Sequence, residues 1–331
     1  MGGKLTAMSE NLPGPKTLSK KFELTRLILT LSAIAYLVFV IGRTVLLSPD
    51  FVSALHEFIR PRHADANMEI VHDVSYVTPA DPHRSGDLYL PKPNGQNRPA
   101  VIFIHGGSWK EGSRDFEKES ALYIAKHGFV VFNIDYRLVG QGGEFPHDIA
   151  DVKDAMAFLA EHANQYAIEP NKIVLFGSSS GGHMAMLAAY SANDGELRAE
   201  GHPASRARAA AVVSFFGVSD LNGDYMHSQD KANVVNYLNG KSPQDSPSLY
   251  AKASPLNYGR TAVPTIFAHG TADQNVLMSQ STTMADGLKK NGIRAEVVPV
   301  EGASHWFGPV TRDLVLSRVV GFLNEVLNHS N

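Results

Sequence analysis

Three consecutive serines, Ser178, Ser179 and Ser180, lie in "IVLFGSSSGGHMAM" (Ile173–Met186), between an apolar run and a pair of glycines. A serine hydroxyl attacks a carbonyl only if a base takes its proton and an acid orients that base. A strand that enters a helix through Gly-x-Ser-x-Gly holds such a serine on a sharp turn, with small residues required two places before and two places after it. Ser178 would have Phe176 and Ser180 at those places, and Ser180 would have Ser178 and Gly182. Only Ser179 has glycine at both, Gly177 and Gly181. Ser179 is therefore the expected nucleophile. Downstream, in the order serine, acid, histidine, stand Asp273 in "TIFAHGTAD" and His305 in "AEVVPVEGASHWF". Asp273 is the expected orienting acid and His305 the expected base. The tetrahedral oxyanion formed on attack needs donors. The backbone N–H groups of Gly106 and Gly107 in "FIHGGSW", with that of Ser180, are expected to supply them.

These residues need a scaffold. "AVIFIHGG", "FVVFNIDY", "IVLFG" and "AAAVVSFFG" are unalternating apolar runs, suited to strands buried on both faces of a parallel sheet. "TIFAHG" and "AEVVPV" add two more, and "MEIVHDVSYVT" with "GDLYLP" predicts an antiparallel opening pair. Helical patterns separate the strands, clearest over residues 148–163. The expectation is an α/β fold with a mostly parallel eight-stranded sheet and helices on both faces. Each proposed site residue then follows its own strand, at the carboxyl ends where parallel sheets keep their ligand sites. Residues 220–258, rich in Asp, Asn, Ser and Pro, are read as an insertion over the site. Asp220 competes with Asp273 as the acid. His269 is read as a packed or hydrogen-bonded turn residue, His183 as a contact at the start of its helix, and Ser178 as a small residue that fits the turn. Trp109 and Trp306 are placed as walls of the substrate pocket.

The chain has 331 residues, a net charge of -3 and no cysteine. That charge gives no footprint for nucleic acid, and the absence of thiols excludes disulfides and thiolate catalysis. No His–carboxylate cluster has metal-binding spacing, so no metal is expected. Residues 1–65 form a separate N-terminal segment, and residues 66–331 the catalytic domain. Leu27 to Gly42 carries no charge, and with its flanks, residues 24–47, it approaches the ~20 residues that span a bilayer. Lysines upstream would put the catalytic domain outside the cytoplasm. The alternative is a soluble protein in which this helix covers the site. Residues 50–62 read as a short amphipathic helix.

The chain resembles the α/β-hydrolase esterases with a His-Gly-Gly-x-Trp oxyanion loop, the hormone-sensitive-lipase-like and feruloyl-esterase-like carboxylesterases. The matching strings are "DLYLP" (87–91), "HGGSW" (105–109), "DYRL" (135–138), "FPHDIADVKDAMAFL" (145–159), "GSSSGGHMA" (177–185), "ASPLNY" (253–258), "HGTADQNV" (269–276) and "GASHWF" (302–307). The resemblance implies a cofactor-free serine carboxylesterase acting on small ester substrates with short acyl groups, with Asp135 and Arg137 mostly structural. Ser108 replaces the third glycine usual in lipase-like members, and Ser178-Ser-Ser180 replaces Asp-Ser-Ala. "HGGSW" with "GGHMA" leans toward the feruloyl-esterase-like and arylformamidase-like branch. A serine peptidase or amidase, prolyl-oligopeptidase-like or arylformamidase-like, is the alternative on the same fold.

Overall fold

A strand whose residues are apolar at every position can be satisfied only by cover on both faces, and that cover is what the chain builds. The computed structural model describes residues 67–227 and 231–328. Within them lie eight strands: β1 (Met68–Ser75), β2 (Ser85–Pro91), β3 (Arg98–Ile104), β4 (Val130–Ile134), β5 (Ile168–Ser178), β6 (Ala209–Phe215), β7 (Thr265–Gly270) and β8 (Ala295–Val300). They form one sheet in the order β1-β2-β4-β3-β5-β6-β7-β8. The β1–β2 and β2–β4 pairs are antiparallel, and every pair from β4 to β8 is parallel. Ile102 stands between Phe132 and Leu175 at the centre of this register.

The helices are α1 (Lys118–Lys126), α2 (His147–Glu161), α3 (Ser180–Tyr190), α4 (Leu221–His227), α5 (Lys231–Tyr237), α6 (Pro247–Lys252), α7 (Ser279–Lys290) and α8 (Pro309–Asn328). Alternation along β3 sends Ile102 and Ile104 into a core shared with α2, α3 and α7. Val101 and Phe103 go to a second core, with α1 and α8. The expected sheet with helices on both faces is the observed one. The segment between β6 and β7 folds as α4, α5, α6 and a 3-10 turn (Pro255–Tyr258). No helix among the described residues is long and apolar enough to cross a membrane. The hydrophobic stretch 24–47 and the predicted helix over 50–62 lie outside the described residues.

Arg137 and Asp135 brace the end of β4. The Arg137 guanidinium grips the buried Asp151 of α2 through Nε (3.0 Å) and Nη2 (2.6 Å). Asp135 accepts from the Arg114 backbone N–H at 2.7 Å and pairs with its guanidinium at 3.0 Å.

Candidate active site

The β5–α3 turn is the tightest in the site. Ser179 sits at φ 54°, ψ -121°, in the left-handed half of the map that a side chain enters only under constraint. The flanking glycines permit the close packing that imposes it. A Cβ on Gly177 would fall 2.1 Å from the Gly181 carbonyl oxygen, and one on Gly181 would fall 2.1 Å from that of Ile104. The Ser179 N–H donates to the Phe215 carbonyl on β6 at 2.9 Å, which fixes the turn to the sheet.

His305, in the loop after β8, reaches this serine. Its Nε2 accepts from Ser179 Oγ at 2.9 Å, and its Nδ1–H donates to Asp273 Oδ2 at 2.8 Å. Asp273 follows β7, and its other oxygen accepts the backbone N–H groups of Asn275 (2.9 Å) and Val276 (3.1 Å). Burial alone would raise the Asp273 carboxyl. Hydrogen bonds from His269 and His305, the His305 charge and the Val276 N–H outweigh it and hold the group well below the usual carboxylate range. An acid so held stays ionised through neutral pH and can balance an imidazolium. His269 Nε2 lies 3.3 Å from Asp273 Oδ2 and 2.8 Å from the Val276 carbonyl, so this histidine shapes the acid's loop. Asp220 instead accepts the Asn222 N–H at 3.0 Å and has no contact with His305 among the described residues.

Gly106 lies directly against the turn: a Cβ there would meet the Ser178 carbonyl oxygen at 2.9 Å and the Ser179 Cβ at 3.2 Å. Among the described residues, the N–H groups of Gly106, Gly107 and Ser180 donate to no protein acceptor, so all three remain available. Gly107, at φ 126°, allows the loop to double back so that Lys110 and Glu111 bond its carbonyl at 3.1 and 3.0 Å.

The tryptophans part company. Trp306 is exposed beside His305. Trp109 is buried, stacked on Tyr237 with centroids 4.5 Å apart, and its indole N–H donates to His183 Nδ1 at 3.2 Å. A large ring with one donor gains most where its face is covered and its N–H has an acceptor. His183 passes the connection on, its Nε2–H donating to the Ala253 carbonyl at 2.8 Å. It therefore reaches well beyond the start of its own helix. Ser178 also does more than fit the turn, for its hydroxyl donates to the buried carboxylate of Glu117. Nothing in the sequence marks that pair, which are 61 residues apart and meet only through the fold.

A parallel sheet with a serine turn after its fifth strand, and an acid and a histidine after its seventh and eighth, is the architecture of the α/β-hydrolases. Residues 86–288 match the BD-FAE family model, and the chain belongs to that family. It is 31% identical over 244 residues to Esterase LipC of Mycobacterium tuberculosis, covering 69% of this chain and 58% of that protein. It is 27% identical over 267 residues to a probable isoprenylcysteine alpha-carbonyl methylesterase of Oryza sativa, covering 79% and 62%. The matched region thus spans about three-fifths of these relatives' own length. Among solved structures, a propionate-bound esterase from Thermogutta terrifontis is similar at 27% identity and a TM-score of 0.63, over 79% of this chain and 95% of that one.

Proposed function

We propose that the protein is a serine carboxylesterase that hydrolyses small esters with short acyl groups through an acyl-enzyme on Ser179. The observation that carries this reading is the continuous chain from Ser179 Oγ to His305 (2.9 Å) and from His305 to Asp273 (2.8 Å). In the proposed cycle Ser179 Oγ attacks the ester carbonyl carbon as His305 Nε2 takes its proton. The N–H groups of Gly106, Gly107 and Ser180 receive the oxyanion. Collapse expels the alcohol, which leaves with the proton from His305. Water then attacks the acyl-enzyme, giving its proton to His305, and the acid departs as Ser179 recovers its hydroxyl. Asp273 holds the imidazole with Nδ1–H toward itself throughout.

The short-acyl preference is supported by the Thermogutta esterase, whose structure contains propionate. Because the named relatives are esterases, esters rather than amides are the substrates to test first. We further propose that residues 66–331 are the catalytic unit and that the 24–47 stretch anchors it to a membrane. Alkaline carbonate extraction of membranes from cells expressing the full chain checks the anchor: retention in the pellet supports it, release into the supernatant opposes it.

Hydrolysis of p-nitrophenyl esters from acetate to palmitate, by the full chain and by Ser179→Ala, tests the activity. The expected result is turnover that peaks at short chains and is lost in the variant. Turnover that survives Ser179→Ala, or that appears only with anilides, would overturn the reading.

A further inference from the structure

The loop that carries Gly106 and Gly107 runs from the end of β3 to the 3-10 turn Arg114–Glu117, and its backbone is strained. Gly107 and Gly112 have positive φ, and so do two residues with side chains, Ser108 (53°) and Trp109 (62°). Such a run holds its shape only if its surroundings impose it. Three ties do so. Trp109 is bonded to His183, four residues after Ser179, and the Arg114 backbone is bonded to Asp135 at the end of β4. The third tie is Glu117, which closes the loop and accepts the hydroxyl of Ser178. Of the three, only Glu117 grips a residue adjacent to Ser179.

Glu117 is buried, yet it belongs to none of the acid–base steps. Burial pushes its carboxyl up, while hydrogen bonds with Ser178 and Ser120 and the Arg312 charge pull it down. Arg312 is in the first turn of α8, just beyond the His305 loop, and Ser120 is in α1. One side chain therefore joins the end of the loop that carries Gly106 and Gly107 to the strand end that carries Ser179, within electrostatic reach of Arg312 on the helix that follows His305. Gly106, packed on the Ser178 carbonyl, is where any slack between loop and turn would be felt.

We infer that Glu117, acting through Ser178, is a positioning residue that sets the distance between Ser179 and the N–H donors of Gly106 and Gly107. This rests on the esterase reading above and deepens it. It also gives the first of the three serines a function: Ser178 holds, Ser179 attacks and Ser180 offers its backbone. The bond needs an acceptor oxygen at Glu117, not a charge, because a Gln oxygen can accept the Ser178 hydroxyl while its NH2 group donates to a rotated Ser120 hydroxyl.

The test is steady-state kinetics on a short p-nitrophenyl ester with the full chain, comparing wild type, Glu117→Gln, Glu117→Ala, Ser178→Ala and the Glu117→Ala/Ser178→Ala double variant. Affinity for a trifluoromethyl ketone, whose adduct carries an oxyanion, is measured alongside. A misplacement near 1 Å costs about 100-fold, so each alanine variant is expected to lose roughly 10- to 100-fold in kcat with KM within about twofold. Ketone affinity should fall in parallel. The double variant should be no worse than the poorer single variant by more than about twofold, and Glu117→Gln should stay within about threefold of wild type. Alanine variants with kcat within about twofold of wild type, multiplicative losses in the double variant, or a Gln variant as impaired as Ala would each overturn the inference. A wild type without Ser179-dependent ester turnover would instead be a failure of the esterase reading.

Discussion

Ser178, Ser179 and Ser180 share a side chain and differ in what surrounds it. One hydroxyl is bound to Glu117 and one faces His305, while the third residue's N–H opens the helix. The glycines two residues before and after Ser179 made this distinction legible in the sequence, because the crowding around Gly177 and Gly181 is a local property of the turn. The Glu117 contact was not legible, since it depends on two segments that only the folded sheet brings together. The surroundings of Trp109 were not legible for the same reason: its stacking partner, Tyr237, is 128 positions away, so neither its burial nor its acceptor could be read locally. Asp273 is open to a test of its own. With Asp273→Asn, the side chain can offer an N–H toward His305 Nδ1 and favour the wrong tautomer. The expected result is a kcat lower by about 10³- to 10⁴-fold with the fold intact, read by ester turnover beside a circular dichroism spectrum.

At the scale of elements, the parallel strands announced themselves because a run such as Val101–Ile104, buried on both faces, has no polar alternation. The segment between β6 and β7 did not. Its helices α4, α5 and α6 have seven, seven and six residues, under two turns each, which is too short for a 3.6-residue period to stand out. The turn from β5 to α3 is the element on which the site depends most. Gly181→Ala would set a methyl 2.1 Å from the Ile104 carbonyl and 2.5 Å from that of His105, both backbone atoms that cannot swing away. The expected cost is on the order of 3 kcal/mol in stability, with loss of activity beyond it, because relief requires β3 and the turn to separate. Urea unfolding together with turnover of the soluble fraction checks both parts. A variant of wild-type stability and rate would mean that the turn is looser than these contacts require.

Across the whole molecule, His183 joins parts that the sequence keeps far apart: α3, the loop after β3 through Trp109, and the segment before β7 through Ala253. Burial lowers its pKa to about 4, against an opposing pull from the Ala253 carbonyl. The unfolded chain therefore takes up a proton near pH 6.5 that the folded protein refuses until about pH 4. Stability from this group is full above pH 6.5 and declines as the pH falls toward 4, by roughly 3 kcal/mol. Urea midpoints between pH 7 and 4 should show this slope. In His183→Leu the protein should be less stable at pH 7 and should lose that part of the slope. An unchanged slope would mean that His183 does not couple folding to protonation.

The proposed chemistry depends on one atom, the Oγ of Ser179. Reaction of the full chain with a fluorophosphonate ester, followed by peptide mapping by mass spectrometry, tests it most directly. The predicted result is a single adduct on Ser179, formed at a rate that parallels loss of ester turnover, and no adduct in Ser179→Ala. An adduct on Ser178 or Ser180, or full turnover in protein labelled at Ser179, would contradict it.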